Sequence, residues 1–310
     1  MSGQENPIDT PIEQSLRGPR LNLAIGPNCP VRCEGCYNSF GNTSANNELI
    51  TADEIFDFAE DVKERGIDGV TLSGGDPLFH PEIETILFGL HKLDYRVKLD
   101  TVGTGLLDDS RIVFKGKGVV PQIKVDSIKG YLESVTLPLD GIDQETISHF
   151  RRGRKNLSEE TKVIANMLAA AGVVFEFNTV VNSKNANQLD GIKGIAEELG
   201  AKTWHVFEYD TSGPNPSSKK ADLALEPGKF NSAVSNLGGS SLKGMRIDIR
   251  TQDSRIGEGA YFFINDAGQA WCPAGSEAKP IRNGHITNDR AAVLTAYDRY
   301  LDAFWKKFYS

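Results

Sequence analysis

The chain has 310 residues, 39% of them hydrophobic and 25% charged, a composition typical of a folded globular protein built around one large domain. Its formal net charge of −8 argues against nucleic acid or an anionic membrane as a partner, because both select basic surfaces. No apolar run reaches membrane-spanning length, and residues 1–20 lack the basic start and apolar stretch of a signal peptide, so we expect a flexible lead-in and a cytoplasmic protein.

Between residues 21 and 210, apolar segments typical of strands alternate with segments of helical periodicity. In chain order we predict strand 21–25, helix 51–65, strand 69–72, helix 81–93, strands 97–101 and 134–139, helix 158–171, strand 173–181, helix 187–199 and strand 203–207. Thr51 and Glu54 fit a capping box at the start of the first helix. Six such units predict an α/β fold with a parallel sheet and outer helices, in which ligands bind at the carboxyl ends of the strands.

The pattern changes after a Ser/Pro/Lys-rich segment at residues 211–220, which we interpret as a domain boundary. Residues 230–237 predict a short helix, residues 246–250 and 261–265 predict two β-like segments, and residues 291–308 predict an amphipathic closing helix. We therefore expect residues 21–210 to form the α/β domain and residues 221–310 to form a small α+β C-terminal extension.

Three of the four cysteines, Cys29, Cys33 and Cys36, lie in one eight-residue window directly after the first predicted strand. A secreted disulfide framework would use an even and more dispersed set, so this cluster indicates a metal site. Structural zinc is one alternative, although it normally takes four ligands, and plain core cysteines are another. Three thiolates on a four-iron cluster would leave one iron open to a small chelating molecule.

The C-x3-C-x2-C spacing after one strand, followed by a Gly-Gly-acid loop after the next, resembles the radical S-adenosylmethionine (SAM) superfamily. The resemblance implies a partial (β/α)6 barrel with one [4Fe–4S] cluster on Cys29, Cys33 and Cys36. It also implies that SAM binds the fourth iron and is cleaved to a 5′-deoxyadenosyl radical, which abstracts a substrate hydrogen. The electron would come from a reductase such as flavodoxin or ferredoxin.

The same resemblance assigns SAM contacts by position. They fall in the Gly-Gly loop, at the end of the third strand, in the segment that follows the fourth strand, and directly after Cys36: Ser73, Gly74, Gly75, Asp76, Thr101, Asp140, Arg154 and Tyr37. Arg154, with Arg152 as second choice, would bind SAM's carboxylate, which suits a guanidinium fork. From the residues alone, the glycines could also form a plain turn and the arginines a solvated helix start.

The segment from residue 261 to residue 286 resembles a shortened SPASM or twitch extension, in which several cysteines bind further clusters. Only Cys272 is present here, so we expect no second all-cysteine cluster. Cys272 is either a small buried residue or, as in epimerases of the neomycin C type that the chain also resembles, a catalytic thiol that returns a hydrogen atom to a carbon radical. Trp271 would form part of a sugar-binding wall or belong to the core.

Residues 175–182 and 204–207 resemble viperin-like nucleotide-modifying members of the superfamily. Glu176 stands where a triphosphate would call for a lysine, which favours an amine-bearing substrate. We therefore predict substrate contacts at Glu176, Asn178, Glu208 and Asp210, although the last two could be solvated surface charges.

Taken together, these features predict a radical SAM enzyme acting on a small natural-product sugar. The specific prediction is an aminoglycoside epimerase of antibiotic biosynthesis with Cys272 as the hydrogen donor. Alternatives are a decarboxylase or dehydrogenase of a nucleoside or aminocyclitol, a viperin-like nucleotide-modifying enzyme, and a zinc-stabilised binding protein. A carboxylate substrate would call for Arg250 or Arg255 in the site.

Overall fold

The computed structural model describes residues 18–26, 28–36, 49–109, 121–210, 220–238, 244–257, 259–272 and 281–309. The strands are β1 (Leu21–Gly26), β2 (Arg32–Cys33), β3 (Gly69–Gly74), β4 (Arg96–Asp100), β5 (Leu132–Pro138), β6 (Arg151–Arg152), β7 (Phe175–Val181), β8 (Thr203–Glu208), β9 (Arg246–Arg250), β10 (Phe263–Asn265), β11 (Gln269–Cys272) and β12 (Ile281–His285). The helices are α1 (Ala52–Lys63), α2 (Ile83–Lys92), α3 (Val125–Ile128), α4 (Gln144–Phe150), α5 (Leu157–Ala170), α6 (Leu189–Leu199), α7 (Lys220–Leu223), α8 (Lys229–Val234), α9 (Gln252–Arg255) and α10 (Arg290–Tyr309).

The main sheet has the strand order β12-β11-β10-β1-β3-β4-β5-β7-β8-β9. The six strands predicted for the α/β domain form its centre, and all of them run parallel. Parallel neighbours need a crossover connection, and the helices α1, α2, α5 and α6 lie in such connections. The predicted partial (β/α)6 barrel is confirmed.

The capping box predicted for α1 is also present. The Thr51 hydroxyl accepts a hydrogen bond from the Glu54 amide, and the Glu54 carboxylate accepts one from the Thr51 amide. Apolar residues at helical spacing, among them Ile55 and Val62, are buried against the sheet.

Each face of the sheet has a different chemistry, as β7 shows. Phe175 and Phe177 point into the apolar core under the helices, whereas Glu176 and Asn178, which alternate with them, face the other side. Side chains on that other side meet across the sheet: Lys98 of β4 lies 3.3 Å from His205 of β8, although β5 and β7 separate the two strands. The sheet is therefore curved, and its concave inner face is polar.

The C-terminal extension continues this sheet at both edges. Strand β9 pairs in parallel with β8, while β10 pairs in parallel with β1 and is followed by antiparallel β11 and β12. The two edges approach each other, since the Arg250 guanidinium donates a hydrogen bond of 3.2 Å to the Tyr261 hydroxyl just before β10. No helix among the described residues combines the length and apolar character needed to cross a membrane.

Candidate active site

The cysteine loop follows β1 at the carboxyl edge of the sheet. Cys29 is buried, and Cys33 and Cys36 are partly exposed; none forms a disulfide. Cys33 is fixed by the two-stranded sheet of β2 and β6, where it lies opposite Arg151. Gly35 has a φ of +77°, and a Cβ at this position would lie 2.8 Å from the Tyr209 hydroxyl. The loop therefore needs glycine at position 35 for its backbone and for Tyr209.

Burial raises the pKa of the Cys29 and Cys33 thiols. Cys33 and Asp76 raise the pKa of Cys29 further, and Cys36 adds to the effect, whereas Arg151 opposes the effect at Cys33. Thiolates that are close together and desolvated need a positive partner, which a metal centre supplies.

One further observation fits a bound group at this loop. The Tyr209 hydroxyl beside Gly35 is buried and has no hydrogen-bond partner in the described part of the chain. A buried polar atom of this kind is normally satisfied by a ligand or water. Three cysteines suit a four-iron cluster, which takes cysteine thiolates as its protein ligands, whereas structural zinc normally takes four ligands.

The Gly-Gly loop after β3 is clamped to the start of the cysteine loop. The Gly75 amide donates to the Gly26 carbonyl at 2.9 Å, and the Asp76 amide donates to the Asn28 carbonyl at 2.6 Å. Gly74 has a φ of +122°, and a Cβ there would lie 2.5 Å from the Gly26 nitrogen. A Cβ on Gly75 would overlap the Asn28 carbonyl group, with 2.7 Å to its carbon. Packing of backbone on backbone thus requires both glycines.

Asp76 and Thr101, both predicted SAM contacts, are brought together and bond to each other. The buried Asp76 carboxylate accepts hydrogen bonds from the Thr101 hydroxyl at 2.6 Å, the Val102 amide at 3.0 Å and the Leu78 amide at 3.1 Å. Burial raises its pKa to about 6, with the hydrogen bonds acting in the opposite direction. The carboxylate therefore joins the ends of β3 and β4, and Ser73 is buried beside it on β3.

Arg151, which sequence reasoning missed, lies closer to the cysteines than the predicted arginine. Its guanidinium donates to the Cys33 sulfur at 3.3 Å and to the buried Asp140 carboxylate, whose other oxygen accepts from the Val180 amide at 2.7 Å. Arg154 instead forms a two-pronged ion pair with Glu160 at 2.6 and 2.7 Å. The pairing of β2 with β6 brings Arg151 to Cys33. Each of these strands has only two residues, too few to show a periodic pattern in the sequence.

Arg152, the second choice for SAM's carboxylate, forms an ion pair with Glu34 and is half exposed. Tyr37 lies outside the described residues. The predicted SAM contacts at Arg154, Arg152 and Tyr37 stay predictions.

The inner face holds a network of charged side chains from four strands. His205 lies 2.6 Å from the Glu176 carboxylate through Nε2 and 2.7 Å from the Asp248 carboxylate through Nδ1. Lys98 pairs with Glu176, and Arg250 pairs with Asp248 at 2.7 Å. Each carboxylate of this network therefore has a cationic partner: Lys98 for Glu176 and Arg250 for Asp248.

This network corrects the interpretation of Glu176. Although burial acts in the other direction, the hydrogen bond with His205 and the charge of Lys98 hold the pKa of Glu176 well below its usual range. Its negative charge is therefore neutralised from within the chain, and Glu176 does not present an open acid to a substrate amine. The sequence pattern could not reveal this, because β4 and β7 are not neighbours in the chain or in the sheet.

Unpartnered acceptor atoms lie on the same face. Oδ1 of Asp100 and Oδ1 of Asn178 are buried without a hydrogen-bond partner among the described residues. Asp100 is in register with Thr136, and Thr136 is in register with Glu176, so these positions share the inner side. Burial raises the pKa of Asp100, opposed by Lys98 and the Thr136 hydroxyl. Buried acceptors of this kind call for donor groups from a ligand.

A row of stacked aromatic rings borders this face. Ring centroids are 5.3 Å apart for Tyr261 and Phe263, and 4.7 Å apart for Phe263 and Trp271. The row is continuous with Arg250 through the Tyr261 hydroxyl, and the predicted role of Trp271 in a wall of the substrate site stays a prediction.

Cys272 lies on the opposite face from Trp271, because neighbouring residues of a strand alternate. Its side chain packs against the apolar core that contains Tyr300 of α10, and its sulfur lies 3.5 Å from the Asn283 side-chain amide. A hydrogen donor to a substrate would have to face the inner side. This placement counts against the predicted role of Cys272 and agrees with the alternative, a small residue in the core.

The two predicted substrate acids at the carboxyl end of β8, Glu208 and Asp210, both lie near α9. The Glu208 carboxylate accepts a hydrogen bond of 2.9 Å from the Gln252 amide at the start of α9. Asp210 lies at the end of the described segment, near enough to Arg255 to raise the pKa of that guanidinium. The predicted role of both acids in substrate binding stays a prediction.

Three clustered cysteines and the Gly-Gly loop lie at one edge of a barrel of parallel strands. This arrangement is typical of an iron–sulfur enzyme that uses a second cofactor. The protein-family model described as the Radical SAM superfamily matches residues 23–190, and the chain belongs to this superfamily. The predicted cofactors, one [4Fe–4S] cluster and SAM, are those of the superfamily, and this prediction is confirmed.

Two relatives of the chain are named for different reactions. The AdoMet-dependent heme synthase of Methanosarcina barkeri (strain Fusaro / DSM 804) is 28% identical over 196 residues, which cover 63% of this chain and 52% of the relative. The S-adenosylmethionine-dependent nucleotide dehydratase of Flammeovirga pacifica is 20% identical over 223 residues, covering 70% of this chain and 71% of the relative. The match thus spans about half the length of the heme synthase.

Solved structures share the fold over nearly the whole chain. Native anSMEcpe with bound AdoMet has a TM-score of 0.64 at 17% identity and covers 93% of this chain and 87% of its own. Streptococcus suis SuiB bound to S-adenosylmethionine has a TM-score of 0.60 at 13% identity, covering 94% of this chain and 68% of its own. The shared region includes the C-terminal extension, as the resemblance implied.

Proposed function

We propose that this chain is a radical SAM enzyme that abstracts a hydrogen atom from a small polar substrate, a natural-product sugar or nucleoside, held on the inner face of the sheet. The observation that carries the proposal is the position of Asp100 and Asn178 on the concave face whose carboxyl edge carries the cysteine loop, since their buried Oδ1 atoms have no hydrogen-bond partner among the described residues. When bound, the cluster and SAM supply a carbon-centred radical at this edge.

The chain's own residues have separate roles in this proposal. Cys29, Cys33 and Cys36 would hold the cluster, and Arg151 would offset the negative charge of the thiolates from 3.3 Å. The Tyr209 hydroxyl, which lies beside Gly35 and has no partner in the part of the chain that the structure describes, would donate its hydrogen bond to the bound cofactor.

A sugar-like ring suits both borders of the inner face. Hydroxyl or amine groups of the substrate would donate to the free oxygens of Asp100 and Asn178. The apolar side of the ring would pack against the aromatic row of Tyr261, Phe263 and Trp271.

Epimerisation of an aminoglycoside remains the specific outcome predicted from the sequence, but Cys272 is not supported as its hydrogen donor. Because Cys272 packs beneath α10, we expect Cys272→Ala to keep its rate of 5′-deoxyadenosine formation and its product stereochemistry within about twofold of the wild type. Product analysis in deuterated water measures this. Loss of deuterium at an inverted carbon in Cys272→Ala would restore the donor role.

The proposal is tested with protein purified and reconstituted without air. We expect about four iron and four sulfide per chain, and 5′-deoxyadenosine from SAM and dithionite. Cys33→Ala should lose iron, sulfide and SAM cleavage, whereas Cys272→Ala is the matched control and should keep all three. A colourless protein with zinc and no labile sulfide, or equal iron in Cys33→Ala, would contradict the proposal.

Tyr209→Phe tests the cofactor contact separately. Removal of a buried hydroxyl that has no partner within the described segments should leave the free energy of unfolding of the apoprotein unchanged or raise it by about 1 kcal/mol. The same variant should weaken SAM binding to the reconstituted protein by about 3- to 10-fold, because one hydrogen bond is lost. Equilibrium dialysis of labelled SAM measures the second effect, and an unchanged affinity would remove Tyr209 from the cofactor site.

A further inference from the structure

Two arginines share one aromatic ring at the carboxyl ends of β8 and β9. The guanidinium carbon of Arg250 lies 5.0 Å from the centroid of the Phe207 ring, and that of Arg255 lies 5.7 Å from it. Phe207 is in register with Arg250 and lies on the same side of β8 as His205, 6.3 Å from the His205 ring. The pair therefore belongs to the inner face and to the edge where ligands bind.

Arg255 carries a charge that has no ion-pair partner among the described residues. Its guanidinium is largely buried and donates to two backbone carbonyls, those of Glu208 and Thr251. No carboxylate of the described residues lies within ion-pair distance of it; burial lowers its pKa, and the more distant Tyr261, Asp210 and Glu208 act in the opposite direction. Arginine nevertheless stays protonated in proteins, so a buried guanidinium held by carbonyls alone calls for an anion.

Arg250 has an acidic partner in the chain but stays accessible to a ligand. It pairs with Asp248 at 2.7 Å, but the same carboxylate oxygen also contacts His205 at 2.7 Å. Arg250 also lowers the pKa of Arg255, so the two guanidinium groups repel each other. The Arg250 side chain keeps 17% of its surface exposed, which leaves donors accessible to a ligand. Two like charges fixed side by side are stabilised when an anion binds between them.

The pair lies near the cofactor loop. The Glu208 carbonyl that holds Arg255 directly precedes Tyr209, whose hydroxyl touches the position of a Cβ on Gly35 in the cysteine loop. Gln252, which starts α9, donates to the Tyr209 carbonyl at 2.7 Å and to the Glu208 carboxylate at 2.9 Å. Glu208 is thereby held by the α9 backbone, and it does not close the site as an ion-pair partner.

We propose that Arg250 and Arg255, on the Phe207 ring, form a subsite for an anionic group of the substrate, a carboxylate or a phosphate. The inference rests on the proposed function, because it assigns one end of the substrate held on the inner face. It changes the expected substrate class from an amine-bearing sugar to one that carries an acid, such as an acidic sugar or a nucleotide. The guanidinium forks would take two oxygens of the anion, and Phe207 would keep both forks in place.

The test measures binding of simple anions to the reconstituted protein, without turnover. Radiolabelled inorganic phosphate and acetate are dialysed to equilibrium against the protein in chloride buffer of constant ionic strength. We expect one saturable site per chain for at least one of the two anions, and the two arms separate a phosphate site from a carboxylate site. Arg255→Gln should weaken binding by about 10- to 100-fold.

Arg65→Gln is the matched control, because Arg65 pairs with Asp298 at 2.6 Å in the helix layer and should bind the anion like the wild type. If Arg255→Gln loses its native circular dichroism, Arg255→Lys replaces it; that variant keeps the charge but not the fork and should weaken binding by about 3- to 10-fold. Absence of saturable binding of both anions to the wild type, or equal binding in a folded Arg255 variant, overturns the inference. The proposed function is judged apart, by 5′-deoxyadenosine formation in the same preparations.

Discussion

Replacement of Gly75 by alanine separates what the Gly-Gly loop does for the fold from what it does for a cofactor. The new Cβ would overlap the Asn28 carbonyl group and lie 2.9 Å from the Gly26 carbonyl oxygen. Both obstacles are backbone atoms, which cannot rotate away as a flexible side chain would. The loop must therefore separate from β1 and from the first residues of the cysteine loop.

The expected cost follows from what this separation breaks. Two backbone hydrogen bonds are lost, from Gly75 to Gly26 at 2.9 Å and from Asp76 to Asn28 at 2.6 Å. At about 0.5–1.5 kcal/mol each they contribute about 1–3 kcal/mol, and overpacking adds about 1–3 kcal/mol. We expect Gly75→Ala to lower the free energy of unfolding by about 2–6 kcal/mol. Because Asn28 precedes Cys29, iron retention should fall as well.

Urea unfolding of the apoprotein, followed by circular dichroism, measures this cost in the absence of SAM and iron. Gly194→Ala is the matched control: Gly194 lies within α6, and a Cβ there would have no neighbour within 4 Å. Alanine should raise helix stability by about 0.5–1 kcal/mol at such a position. An apoprotein of Gly75→Ala as stable as the wild type would refute the steric account and leave cofactor contact as the reason for the glycine.

Two further predictions concern buried ion pairs. Arg151→Gln should lower the free energy of unfolding by about 3–5 kcal/mol, because it leaves the buried Asp140 carboxylate without its cationic partner. Arg154→Gln, which removes a more exposed pair, should lower it by about 1 kcal/mol. Equal losses of the two variants in urea unfolding would contradict this difference. Glu176→Gln should cost about 3–5 kcal/mol near pH 7 by stranding Lys98. Since folding lowers the pKa of Glu176, the stability that its carboxylate contributes is present above the unfolded pKa near 4.5 and is lost as the pH falls further. The difference in the free energy of unfolding between wild type and Glu176→Gln should therefore narrow below pH 4.5. A difference that stays constant from pH 7 to pH 3.5 would show that Glu176 is not an ionised partner.

The sequence was sufficient for the parts of the site that depend on local order along the chain. The cysteine spacing, the Gly-Gly loop and the alternation of strands and helices each lie within a short segment, and each segment has the structure that was predicted. Parallel strands then bring their carboxyl ends to one edge without any further information. The contact between Asp76 and Thr101, at the ends of β3 and β4, follows from the same rule.

Pairing between distant segments could not be predicted in the same way. Arg151 reaches Cys33 because β2 and β6, each two residues long, pair across more than a hundred residues, and such short strands show no periodicity. Lys98 reaches Glu176 across β5, which lies between their two strands, so the contact depends on the strand order of the whole sheet. The charge of Glu176, taken alone, therefore indicated the wrong partner for that side chain.

The contrast between Trp271 and Cys272 shows how one residue of register decides a functional role. The turn at Asp266-Ala267-Gly268 folds β11 back along β10, and the pairing of Trp271 with Phe263 then sets the face of every residue on β11. With Phe263 stacked on Tyr261 and Tyr261 bonded to Arg250, Trp271 must face the inner side and Cys272 the core. The same alternation places Phe207 and Arg250 on the inner face. Strand register thus turns the Cys272 thiol away from the site and provides one of the two guanidinium groups proposed to bind an acidic substrate, while α9 provides the other.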